Sequence, residues 1–295
     1  MAIDPDVDRL VSFTIPERDA RGRVVRLGPV LNQILAAHAY APAIKHLLAE
    51  ALVVTALLGG LLKRAGSQLT LQAQTEGGIV ELLVCDYRDG DLRGYVKHDL
   101  ERLALVDANP SLSALFGKGY LAITFDVAGV DQRYQGVVPL EGESLAEAVE
   151  TYFEQSEQVP TLIRTAVLVE ADSCLAGGLL MQHLADAEEG RDRIHARTDR
   201  PEWDHVAILA QSVQHEELLD PQLSSEALIW RLYNEEREVR VQGVAPLSRG
   251  CRCSVVHFEE VLARFPKEDR RDMRDEKGVI RVDCAFCSRQ FPIQD

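Results

Sequence analysis

Two close pairs of cysteines stand near the end of the chain, Cys251-Arg252-Cys253 and Cys284-Ala285-Phe286-Cys287, with thirty residues between the pairs. Four thiolates can close a tetrahedral zinc shell, and two residues between ligands let a tight knuckle aim both sulfurs at one ion. A C-x-C is tighter than the C-x2-C of common zinc ribbons, and two cysteines so close can also be bridged to each other in a strained ring. Each pair is thus both a ligand pair and a potential disulfide. Spacing alone leaves two readings open, a structural ribbon that is inert once metallated and a thiol switch.

Size decides what either reading would mean. A module of roughly fifty residues rarely folds without a metal or a disulfide, and structural zinc supplies about 10–16 kcal/mol of apparent binding free energy at neutral pH. Oxidation of the thiolates removes the ligands and that folding free energy together. A redox signal would become an unfolding event.

The other candidates are weaker. Cys85 ends the apolar run Val80-Glu81-Leu82-Leu83-Val84 and is expected as a small buried thiol, whereas Cys174 is expected in a turn, as an incidental residue. The eight histidines are scattered, and only His257 falls inside the cysteine module. The chain has no P-loop, no GxGxxG after a strand, no HExxH and no G-x-S-x-G, so no common enzyme class finds support and none is expected.

With 32 basic and 47 acidic residues the formal charge is −15, which argues against nucleic acid as a partner. The tail from Ala245 to Asp295 is an exception, holding ten Lys/Arg and nine Asp/Glu. The composition, 46% hydrophobic and 27% charged, is that of a soluble globular protein. Met1 to Asp6 lacks the basic and apolar regions of a secretory signal, so a cytoplasmic location is expected. The apolar run Ala51–Leu62 is shorter than the ~20 residues a membrane span needs and reads as a buried helix.

These cysteines must be positioned by the elements before them. Strands are expected at Leu10–Ile15 and Arg23–Leu27 around an Arg21-Gly22 turn, then a short helix after Pro29 and a long core helix from Pro42 to about Lys63. Period-two patterning from Gln68 to His98 predicts an antiparallel meander with turns at Glu76-Gly77-Gly78 and Arg88–Asp91. Further strands at 120–127, 134–138, 163–170 and 178–182, with a helix at 145–155, complete an α+β core domain over 1–183. A linker follows over 184–243, opening with the charged stretch 186–204, and the redox-switch zinc module takes 244–295. The linker's short amphipathic helices carry Trp203, Leu209, Leu228, Ile229 and Leu232 on their apolar faces. Helices shorter than about 12–15 residues are marginal alone, so these need a docking surface, and the zinc module is expected to clamp them.

Across nearly its whole length the chain resembles the thirty-three-kilodalton heat-shock proteins, redox-regulated holdase chaperones of bacteria. The resemblance is carried by Leu47–Leu52, Gly117–Thr124, Tyr134–Gly142, the segment Tyr152-Phe153-Glu154-Gln155-Ser156-Glu157-Gln158-Val159-Pro160-Thr161, Trp230–Glu236, and the C-x-C, thirty residues, C-x2-C arrangement with Ser254 after the first pair. The ending Phe291-Pro292-Ile293 departs from the Tyr-x-Phe-like ending of that family.

The resemblance implies a reduced, inactive state in which Cys251, Cys253, Cys284 and Cys287 hold one zinc ion per chain. It also implies an oxidised state with Cys251–Cys253 and Cys284–Cys287 disulfides, formed under oxidants with heat. The module and linker then unfold, and the active homodimer binds unfolding, aggregation-prone client proteins without ATP, passing them later to ATP-dependent chaperones. Trp203, Leu209, Leu228, Ile229 and Leu232 are the client-binding candidates; no nucleic acid or membrane is involved. Two other classes compete: a constitutive zinc-ribbon adaptor with a purely structural metal, and a thiol oxidoreductase, which would need C-x-x-C near a thioredoxin-like βαβ unit.

Overall fold

A computed structural model describes residues 6–130, 133–171, 173–184 and 201–294. The chain opens with the hairpin β1 (Arg9–Ile15) and β2 (Ala20–Leu27), then helices α1 (Pro29–Leu35) and α2 (Pro42–Gly59). The meander β3 (Gln68–Thr75), β4 (Val80–Arg88) and β5 (Asp91–His98) leads into α3 (Leu100–Leu103) and α4 (Leu112–Phe116). After these come β6 (Gly119–Asp126), β7 (Arg133–Pro139), α5 (Leu145–Tyr152), β8 (Thr161–Val169) and β9 (Cys174–His183). Three helices follow, α6 (Pro201–Gln211), α7 (His215–Leu219) and α8 (Ser225–Tyr233), then β10 (Arg240–Pro246) and β11 (Ser248–Arg249). The chain closes with α9 (Val255–Leu262), α10 (Lys267–Asp272), β12 (Val279–Asp283) and β13 (Gln290–Gln294).

The architecture is α+β. One sheet has the order β10-β1-β2-β9-β8 and a second the order β11-β5-β4-β3-β6-β7. Helix α2 packs against strands of both, and its residues from Leu47 to Gly59 are buried. It is 18 residues long and apolar enough to cross a membrane by composition, but it is the central core helix of this fold. The apolar all-round pattern that predicts burial is explained by having a sheet on either side.

Apart from its edge strand β10, the first sheet carries buried residues on both faces. Leu10, Val25, Ile163 and Leu180 point toward α2, and Val11, Phe13, Val24, Leu179 and Met181 point the other way into a second core. Alternation of side chains along a strand makes this possible. The second core is closed by α6, α7 and α8.

The meander, its turns and the strands up to β9 lie where the sequence predicts them, within a few residues. One turn does not. The first hairpin turns at Pro16-Glu17-Arg18 with Asp19 left-handed (φ 44°), while Arg21 and Gly22 are paired within β2. Gly22 marks a close approach instead, since a Cβ there would fall 2.1 Å from the Phe13 ring. Helix α2 stops at Gly59 rather than near Lys63. Cys174 begins β9 and is buried, its N–H donating to Asn32 Oδ1 at 2.7 Å, so the expected turn is corrected to a strand. Most of the charged stretch 186–204 lies outside the described residues. The expected boundary between residues 243 and 244 falls within β10.

Candidate metal centre

The final forty-odd residues form a small unit around the hairpin β12–β13, paired from Val279 opposite Gln294 to Asp283 opposite Gln290. Its core is Leu262, Ile280, Cys284, Phe291 and Ile293, with Phe258 against Phe291 at 5.0 Å between ring centroids. The last strand therefore buries Phe291 and Ile293, alternate residues, despite its unusual ending.

Two turns deliver the sulfurs. After β12, the N–H groups of Cys287 and Ser288 donate to the Cys284 carbonyl at 3.2 and 2.8 Å, and Ser288 is left-handed (φ 56°). On the other side Ser254 caps α9, its hydroxyl accepting from the His257 N–H at 3.1 Å, so the chain turns sharply just after Cys253. The four cysteine sulfurs lie within 4.8 Å of one another. Cys251 and Cys253 are 3.3 Å apart, Cys251 and Cys284 3.6 Å, and Cys253 and Cys287 3.6 Å. A tetrahedron of sulfurs at about 2.3 Å from one ion has edges of about 3.8 Å, and a disulfide would need about 2.05 Å. The donor set and its spacing fit a thiophilic metal ion.

The electrostatics agree. Burial pushes the Cys251 thiol up, but the Cys253 backbone N–H and the neighbouring thiols outweigh it and hold the group below its ordinary value. Cys253 and Cys284 are raised, burial being the largest cause in each. Adjacent sulfurs resist accumulating negative charge, which a bound cation relieves. The remaining cysteines are outside this chemistry: burial raises Cys85 far above the thiol range and Cys174 to about 11. His257 is exposed and is not among the clustered ligands.

The module docks through polar contacts with the body of the protein. His38, in the loop between α1 and α2, has Nε2 2.7 Å from the Ala285 carbonyl, and the Ser288 hydroxyl donates to the Ala37 carbonyl at 2.6 Å. Arg252, between the first two cysteines, donates to Gln68 Oε1 at 2.6 Å and faces the buried Asp86 at 3.7 Å. Arg93 donates to the same carboxylate at 2.7 Å and stacks over Phe286, 4.1 Å from the ring centroid. Both cysteine pairs are thus anchored to β3, β4 and β5. No sequence signal points to these residues, which lie some 165–250 positions from the cysteine pairs they support.

The five residues expected to face clients sit elsewhere. Leu228 and Ile229 are buried in the second core, and Trp203, Leu209 and Leu232 pack partly buried against it. The docking surface of α6–α8 is the outer face of the first sheet, so the expected clamp by the zinc module is corrected. A sheet with apolar residues on both faces has to be covered on both, and these helices supply the second cover. Buried polar groups fix their position. Arg26 donates to the carbonyls of Leu218 and Leu223 at 3.0 and 3.1 Å and to Asp6 at 2.9 Å, and Asp6 accepts from the Ser225 N–H at 2.8 Å. At the far end Glu236 accepts from Arg18 at 2.9 Å and pairs with His205 at 2.8 Å.

The Hsp33 protein family matches residues 8–294. The chain belongs to the Hsp33 family. The 33 kDa chaperonin of Caulobacter vibrioides (strain NA1000 / CB15N) is 40% identical over 304 residues, covering 99% of this chain and 97% of that protein. The 33 kDa chaperonin of Nitrosococcus oceani is 37% identical over 96% of this chain and 90% of its own length. The crystal structure of the Hsp33 homologue from Thermotoga maritima superposes with a TM-score of 0.78 over 97% of this chain and 95% of that one. At 22% identity that likeness shows the fold. The Hsp33 assignment covers the body of the protein and the four-cysteine cluster alike.

Proposed function

We propose that the protein is a redox-regulated, ATP-independent holdase whose four cysteines hold zinc in the resting state. The observation that carries this reading is the cluster of four sulfurs at ligand spacing within a unit too small to fold well without them. Bound there, zinc would supply the folding free energy of the module. Oxidation joins Cys251 to Cys253 and Cys284 to Cys287. Each pair gives up two electrons to an oxidant such as hypochlorite, which is reduced to chloride and water, and the four ligands are lost.

Loss of the module removes its contacts with His38, Arg93 and Asp86. Strain then reaches α6–α8 along the chain, through β11 and β10, because the module does not cover those helices. Their release uncovers Val11, Phe13, Leu179 and Met181 together with the helices' own apolar faces, an adaptable surface for unfolding clients. The net charge of −15 keeps such a surface soluble. In this reading the active form is a cytoplasmic homodimer that later hands clients to ATP-dependent chaperones.

The test compares reduced, zinc-loaded protein with hypochlorite-treated protein for suppression of thermal aggregation of a client without ATP. Suppression by the oxidised form alone is expected. Equal suppression by both forms would remove the redox control, and suppression by neither would favour a constitutive adaptor with a structural metal.

A further inference from the structure

β10 is an odd strand. It occupies the edge of the first sheet, running antiparallel to β1 from Arg9 opposite Pro246 to Thr14 opposite Arg240, with a bulge between Ser12 and Phe13. All of its residues except Ala245 are exposed, including Val241 and Val244 at nearly half their area. It adds no buried residue to either core on that sheet. Main-chain pairing holds it, and each such bond contributes little net free energy in water.

Its two ends are fixed by different parts of the molecule. Before it, Val239 packs against the core under α6–α8. After it, Leu247 is buried, and its N–H donates to the Asp8 carbonyl at 2.8 Å. Ser248 and Arg249 then pair with β5, and Gly250 leads directly into Cys251. The anchor before it thus lies in the core that the redox reading has opening, while Leu247 stays in the core around α2, four residues ahead of the first cysteine of the module.

We propose that β10 is a removable strand, and that its departure opens the edge of β1 to an extended apolar segment of an unfolding protein, which takes its place in the sheet. This rests on the holdase reading above and names how that holdase grips its clients. The occupant is argued from β10 itself, an extended segment of the same chain that fills this edge through backbone pairing, with almost no demand on its side chains. Backbone groups are common to every polypeptide, so such an edge accepts clients of any sequence. Val11, Phe13 and Ile15 alternate along β1 on the face that α6–α8 cover. A strand added beside them can extend that apolar face with its own alternate residues, so edge and face act as one surface.

The test uses the full chain and two synthetic probes, a short peptide of alternating valine and threonine and the same peptide N-methylated at every residue, so that neither of its edges can donate. Methylation removes N–H donors and keeps the apolar side chains. The oxidised chain is expected to bind the plain peptide at least about tenfold more tightly than the methylated one. Hydrogen exchange at residues 9–15 should speed up on oxidation and slow again only with the plain peptide. The reduced chain should bind neither. Equal affinity for the two peptides, β1 amides as protected after oxidation as before it, or tight binding by the reduced chain each overturns the inference while leaving a redox-activated holdase intact. An oxidised chain that suppresses no aggregation overturns the holdase reading and this inference with it.

Discussion

Replacing Leu228 with alanine isolates the docking of the linker helices from the chemistry of the cysteines. Leu228 is fully buried on α8, against the outer face of the first sheet and away from the core around α2. Truncating a buried leucine costs about 2–5 kcal/mol. Helix α8 has nine residues, too few to persist alone, and it is held by three buried apolar side chains and the Asp6–Ser225 contacts. The cost therefore falls on a local equilibrium, docked against detached, while β8, β9 and α2 keep their own contacts. The assay is hydrogen exchange on the reduced, zinc-loaded chain, paired with aggregation suppression. Amides in 201–233 should exchange about thirtyfold faster or more, the lower end of that energy range. Residues 42–59 should be unchanged, and the reduced protein should gain chaperone activity with its zinc still bound. Equal acceleration in 42–59 would mean that the helices and the core open as one unit. Detached helices with no gain in activity would refute the idea that their docking hides the client surface.

Three further outcomes follow from the same geometry. Cys284→Ser removes a ligand that is also part of the module's small core, so residues 251–294 should lose zinc and melt while the strands of the first 183 residues persist, as read by metal content and circular dichroism. Alkylation of the native chain should label neither Cys85 nor Cys174, both buried and raised, and a chain lacking both should respond to hypochlorite as the parent does. Glu50 is buried under α5, accepting from the Ala146 N–H at 3.2 Å, and burial raises its carboxyl to about 7 from an ordinary 4.5. Its folded value is the higher one, so the stability present below about pH 4.5 is lost as pH rises through about 7, a change of about 3 kcal/mol that Glu50→Gln should abolish in denaturant titrations at pH 5 and pH 8.

Much of the body was legible because its pattern is local. Alternation in Leu69-x-Leu71-x-Ala73 and the Asp89-Gly90 turn specify a meander by themselves, and a helix apolar on every face can only be central. The two cysteine pairs were legible for the same reason, since each is defined within four residues. What could not be read depends on distant partners. Gly22 resembles a turn residue until the Phe13 ring is placed over it, and Cys174 resembles a loop residue until Asn32 is placed beside its N–H. The apolar faces of α6 and α8 were evident, but not what they cover. That answer lies in β1, β2 and β9, whose side chains alternate between two cores, and in Arg26, a buried cation that the sequence offers no reason to notice.

Zinc release, free thiols and aggregation suppression, followed together as reduced protein is titrated with hypochlorite, test the redox switch itself. One zinc ion per chain should leave as four thiols disappear, with chaperone activity rising in step. Complete zinc release with no gain in suppression, or suppression reached while zinc and all four thiols remain, would contradict it.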